Sequence, residues 1–147
     1  MRAVFALVLP TLFCAAAARD ASAADAQIAW DDLRALKIEK QNGAERITFD
    51  PAIAALSGKA ATIAGWITPI NLGDGTTVTS FLLTGTPGTC PFCFGYGPES
   101  FVLVEAAEPV PADVSVQLLL SGRFSAKAED ASGFYYRLSG ARIAGRP

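Results

Sequence analysis

The chain contains no histidine at all. That removes the commonest general base and the commonest metal ligand together. It also leaves no Ser-His-Asp set, and no glycine loop of the phosphate-binding type is present, so hydrolase and nucleotide chemistry have no support. Cysteine is scarce, at three residues, and charge is thin: 12 Lys and Arg against 14 Asp and Glu, a formal net charge of -2. No basic stripe or charge block occurs, which argues against nucleic acid and against anionic membrane surfaces as partners. No pair of carboxylates has a spacing that argues for acid–base catalysis. Asp31, Asp32 and Asp113 read as solvated or capping groups.

The longest apolar run lies at the start. Arg2 gives a positive n-region, Ala3 to Phe13 an apolar core, and Ala21-Ser22-Ala23 the small residues that a signal peptidase reads. The run is too short to span ~30 Å of hydrocarbon, and Pro10 interrupts it. Residues 1–23 are therefore expected to be a cleaved signal peptide, which implies a periplasmic location and leaves no integral membrane segment after cleavage. Lipidation at Cys14 is disfavoured, because the bulky Phe13 stands where lipoprotein processing takes a small residue. Residues 24–147 then suit one small domain.

Along that domain the hydrophobic period changes. Residues 28–37 place Trp30, Leu33 and Leu36 at helical spacing, with Asp31 and Asp32 at the N-terminal end. A polar stretch with Asn42-Gly43 as a turn signal follows. Asp50 can cap a short helix over 51–56, Pro51 fits its first position, and Gly58 stops it. Five strands are predicted at 60–68, 78–84, 101–105, 114–124 and 134–143, rich in β-branched and aromatic residues and separated by Gly, Pro and Asp clusters. The fold class is thus mainly β, a five-stranded OB-like Greek-key barrel behind a short N-terminal helical segment. Gly65 and Gly122 fall inside strands, where such barrels bend or let backbones approach. Trp30 and Trp66 are expected in the core, and Tyr135 and Tyr136 on opposite faces of one strand.

The chemistry-bearing stretch is Cys90-Pro91-Phe92-Cys93, in a segment from Gly88 to Pro98 with several glycines and aromatics and no charge. Three readings of the pair stay open. A local disulfide is the default in an oxidising compartment; closing so short a loop stabilises by only about 2 kcal/mol, so it would fix the shape of the loop rather than the fold. Thiol–disulfide catalysis needs a thiolate that is usually stabilised by a following helix. Phe94-Gly95-Tyr96-Gly97-Pro98 will not propagate one. Metal binding through Cys90 and Cys93 suits Cu(I) better than zinc, which wants four ligands and would need Glu99 or a second chain. No cofactor is required by any other feature, and the balance leans away from an enzyme. Phe92, Phe94 and Tyr96 alternate; they either cover the barrel mouth or form an apolar docking patch for a protein partner.

The ordered set Ile28-Ala-Trp-Asp-Asp-Leu33, Phe49-Asp-Pro-Ala-Ile53, Leu56-Ser-Gly-Lys59, Gly65-Trp-Ile-Thr-Pro-Ile70, Phe81-Leu-Leu83 and Gly88-Thr-Cys90 resembles a family of exported bacterial domains of unknown function. The resemblance implies an OB-like fold. Similar proteins are often encoded beside ABC-type transporter components and metal-uptake genes, which implies an envelope partner, such as a transporter component, or metal handling. Many members carry Cys-Ile-His followed by a proline run. Here Cys90 matches, but Phe92 stands in the place of the histidine.

Overall fold

Alternation along one long strand sets the architecture. In β4 (Ala60–Pro69), Ala61, Ile63, Gly65 and Ile67 are buried while their neighbours are half-exposed, the period of a strand with one face on a core. The computed structural model describes residues 25–70, 75–88, 96–128 and 133–147. Around β4 run β5 (Thr77–Thr84), β6 (Phe101–Pro111), β7 (Gln117–Ala126) and β8 (Tyr136–Gly145). Their order is β4-β5-β6-β8-β7, and β7 pairs back to β4, so the ring closes without a free edge. All pairings in the ring are antiparallel except β6 with β8, where Val102 lies beside Tyr136 in a parallel register. The result is a closed five-stranded barrel of the OB type.

The two strand glycines do what their positions suggest. A β-carbon on Gly65 would lie 2.6 Å from the Thr84 carbonyl oxygen and 2.7 Å from Leu83 Cγ, at the point where β4 passes from β7 to β5. On Gly122 it would lie 3.0 Å from the Ser139 carbonyl oxygen, beside a register shift between β7 and β8. Backbones approach there because nothing projects between them.

The interior is filled by Phe81, Phe124, Tyr136, Ile63, Ile67, Leu83, Leu120 and Leu138, all essentially fully buried. Two short helices close one end. Leu33 of α1 (Trp30–Arg34) and Ile53 of α2 (Pro51–Leu56) enter the same core. The α2 start is capped by the Asp50 carboxylate, which accepts from the Ala52 amide at 2.8 Å, with Pro51 at the first position. Gly58, with φ of 86°, turns the chain out of it.

Several expectations need correction. The predicted helix over 28–37 is only five residues; before it Ala26–Ile28 form β1, which adds to β4 in parallel, and after it Lys37 starts a strand. The Asn42-Gly43 turn closes a β-hairpin of β2 (Lys37–Gln41) and β3 (Ala44–Thr48), where a polar connection was expected. Both turn residues have positive φ, 54° and 82°, the geometry that tight hairpins favour. The strand predicted over 101–105 runs on to Pro111, past a bulge in which Thr79 alone faces residues 106–109. The one predicted from 114 begins at Gln117, because Asp113 builds a turn there by accepting from the Ser115 amide and hydroxyl. Neither tryptophan is in the core: Trp66 points outward from β4, and Trp30 packs against the edge of the core half-buried. Tyr136 is buried and opens β8, whereas Tyr135 precedes the strand and is half-buried.

Candidate functional site

The connection between β5 and β6, residues 85–100, is the longest in the ring, and its ends are fixed. Thr84 and Phe101 are direct partners across the two strands, so the chain leaves and returns at one point. The β7–β8 connection starts and ends at the same end of the barrel, since Ala126 pairs with Tyr136 and Tyr136 lies beside Val102. Both strand stems are dry on both faces. Residues 81–84 and 101–104 are all buried, and Leu82, Phe101 and Leu103 form a second small core outside the ring, packed against Phe134. The Phe101 and Phe134 rings meet edge to face at 6.1 Å.

Thr84 is the one buried polar side chain among the described residues, and its hydroxyl donates to the Thr86 carbonyl at 2.9 Å. A hydroxyl that donates inside its own turn closes the first step of the connection without water. At the next position the five-membered ring of the Trp30 indole lies on Gly85; a β-carbon there would be 2.7 Å from the indole Cγ and Cδ2. The indole N–H donates to the Ala64 carbonyl of β4 at 2.7 Å. At the other end a 3-10 turn, Pro98–Ser100, packs on α1 and leads into β6. The Glu99 carboxylate folds back over Gly97.

α1 itself is held from the opposite side. The buried Tyr136 hydroxyl donates to the Leu33 carbonyl at 2.7 Å, a long-range partner for one of the carbonyls that a helix end leaves open. Burial raises the Tyr136 phenol well above the ordinary tyrosine range, and the charge of Glu99 adds to it. Tyr135 is raised by burial first, then by Glu45 and Glu99. Phe49 bridges the two tyrosines, with ring centroids at 6.3 Å from Tyr135 and 5.6 Å from Tyr136. An open depression of about 270 Å³ beside this cluster is lined by Phe49, Lys37 and Asp50 among others.

Of the residues singled out in the sequence, Cys90, Cys93, Phe92 and Phe94 lie outside the described residues, as do Cys14 and the leader 1–23. Tyr96 is described, and it is 47% exposed near the returning end of the connection. Among the described residues no three His, Cys, Asp or Glu side chains converge as a metal site would require. Asp31 pairs with Arg34 at 2.8 Å, and Asp32 accepts from the Ala29 amide at 3.3 Å, so both serve α1. Among the described residues no helix is long and apolar enough to cross a membrane. Reading the sequence alone missed Thr84, Gly85 and the seat of Trp30. The signal was the unbroken apolar runs Phe81-Leu82-Leu83 and Phe101-Val102-Leu103-Val104, which mark strands covered on both faces.

An OB-like barrel with a long, clamped excursion between its second and third ring strands is the class of domain that this architecture defines. The chain belongs to the DUF3299 family of proteins of unknown function, whose model matches residues 14–144. A crystal structure of a DUF3299 family protein from Pseudomonas aeruginosa PAO1, at 2.45 Å resolution, is similar in fold. The TM-score is 0.59 at 17% sequence identity, over 84% of this chain and 99% of that one. No curated protein matches the chain.

Proposed function

We propose that the protein is a non-enzymatic binding module of the periplasm, which docks an envelope protein partner through the β5–β6 connection, with Cys90 and Cys93 closed as a local disulfide. The leader-like residues 1–23 support the compartment, and the transporter genes that the resemblance implies as neighbours favour a transporter component as the partner class. The observation that carries the reading is the stem: Thr84 opposite Phe101, dry on both faces, with Tyr96 exposed at its foot. A paired, dry stem fixes where the connection leaves and returns, which lowers the ordering cost of a docking element. A fold alone does not fix a function, so the test has to be biochemical.

Protein taken from the periplasm and alkylated before reduction is expected to show neither cysteine labelled, and to carry no stoichiometric Cu(I) or zinc. Cys90→Ser and Cys93→Ser should each lower stability alike, by up to about 2 kcal/mol, and reductant should reproduce that loss in the parent chain. Affinity capture from envelope extracts should return a transport component, and Tyr96→Ala should weaken its recovery. Repeated capture without any such component overturns the docking reading. The Cys-X-X-Cys spacing favours one second reading, a thiol-redox protein. That reading requires one serine variant to trap mixed disulfides and the parent protein to turn over in an insulin-reduction assay. A chelator-dependent loss of stability in the parent would instead point to a metal held by the two thiolates.

A further inference from the structure

Residues 26–34 are joined to the barrel but are not part of its closure. The ring closes through β4 and β7, whereas β1 contributes three residues laid in parallel along the other edge of β4. From there the chain crosses the end of the barrel as α1 and touches both ends of the 85–100 connection. Trp30 covers Gly85 at the outgoing end, and α1 packs on the Pro98–Ser100 turn at the returning end. Besides these contacts and its short pairing with β4, the segment is held by Ile28 and Leu33 in the core, by the indole N–H on the Ala64 carbonyl and by the Tyr136 hydroxyl on the Leu33 carbonyl.

We propose that residues 26–34 form a strap that clamps the stem of the 85–100 connection, with Trp30 as its positioning residue, and that the strap opens as a unit while the barrel stays closed. A short segment that lies outside a closed hydrogen-bonded ring can open at lower free energy than the ring itself. Opening would release both ends of the connection together, because the same five-residue helix and its tryptophan touch both. What this does to partner docking rests on the function proposed above. The strap itself does not, and it can be measured in the free protein.

Amide hydrogen exchange separates the two units, with Gly85, Thr86, Ser100 and Phe101 reporting the stem and Leu120 and Phe124 reporting the ring. Trp30→Ala is expected to speed exchange at the stem by about tenfold or more and to leave the ring within about twofold. Trp30→Phe, which keeps one aromatic ring over Gly85 but loses the N–H and the second ring, should recover part of the protection. Gly85→Ala is the second variant. It retains every core side chain, and its β-carbon would lie 2.7 Å from the indole, so it must displace Trp30. In the parent chain it should open the stem as Trp30→Ala does; in the Trp30→Ala chain it should add less than about twofold. That non-additivity places both substitutions on one contact, and a rise confined to the stem at constant ring exchange is what a merely structural role for either residue does not predict. A uniform rise across stem and ring, no rise at all, or additive effects of the two substitutions would each overturn the strap.

Discussion

The barrel and the β2–β3 hairpin are built from the same kind of antiparallel pairing, yet they hold together for different reasons. In β7 and β8, inward residues such as Leu120, Phe124, Tyr136 and Leu138 have almost no contact with water. In the hairpin no residue is buried, and Ile38, opposite Ile47, is 46% exposed. Burial drives the first, at roughly 25 cal/mol per Å² of apolar surface. The second depends on its turn and on cross-strand pairs: Glu39 faces Arg46, and Lys40 faces Glu45. Hydrogen-bonded strands are therefore no measure of stability in this molecule; what covers them is.

The contrast can be broken first at its strongest point. Phe124 is fully buried, stacks on Tyr136 with ring centroids at 5.9 Å, and lies where β7 meets the chain leaving α2. Phe124→Ala should cost about 3–5 kcal/mol, from lost transfer energy and the cavity left behind. Urea unfolding checks this. A loss below about 1 kcal/mol would mean that the ring core collapses around the gap, and that burial is not what distinguishes the two regions.

A smaller effect is expected at Tyr136. Removing its hydroxyl in Tyr136→Phe leaves the Leu33 carbonyl without its buried donor, which should cost about 1–3 kcal/mol. The same substitution has a pH signature. The folded phenol titrates above the ordinary value of 10.0, so the folded state holds its proton more tightly than the unfolded state does. Its stabilising share is complete below the unfolded value and is lost as the pH rises through and above it. Stability of the parent chain should fall between about pH 9 and 11, and Tyr136→Phe should flatten that fall, leaving the part due to Tyr135. Equal slopes in the two chains would show that Tyr136 ionises freely, and so is not locked under α1.

Most of the barrel was legible because its signals are local and agree with one another. β-Branched residues between glycine and proline breakers marked β4, and Asp50, Pro51 and Gly58 marked α2 at both ends. Gly65 and Gly122 marked close approaches before any partner was known. The hairpin was not legible in the same way. Lys37 to Gln41 carries one apolar residue, so no buried face announces it, and only Asn42-Gly43 hinted at a reversal. The strap was hidden for another reason. A tryptophan at helical spacing from a leucine reads as core, and nothing near Trp30 in sequence says that Gly85 will lie under its ring. Cys90 and Cys93 stood out in the sequence, while the frame that carries them depends on contacts between residues far apart along the chain.

The mildest test falls on the hairpin, where the turn replaces a core. Gly43 has φ of 82°, and a β-carbon there would touch nothing within 4 Å, so Gly43→Ala meets no steric neighbour. The only penalty is the left-handed backbone, about 1–2 kcal/mol for a residue with a side chain. Because no hairpin residue is buried, that penalty should be felt locally, as faster amide exchange across Lys37–Thr48, with barrel unfolding shifted by less than about 0.5 kcal/mol. Asn42→Gly, which relaxes the neighbouring positive φ of 54°, should leave the ribbon paired. If Gly43→Ala instead destabilised the barrel by as much as Tyr136→Phe, the ribbon would have to be coupled to the core through Phe49. The hairpin would then be a brace for the tyrosine cluster, and the division between a region held by burial and one held by its turn would fail.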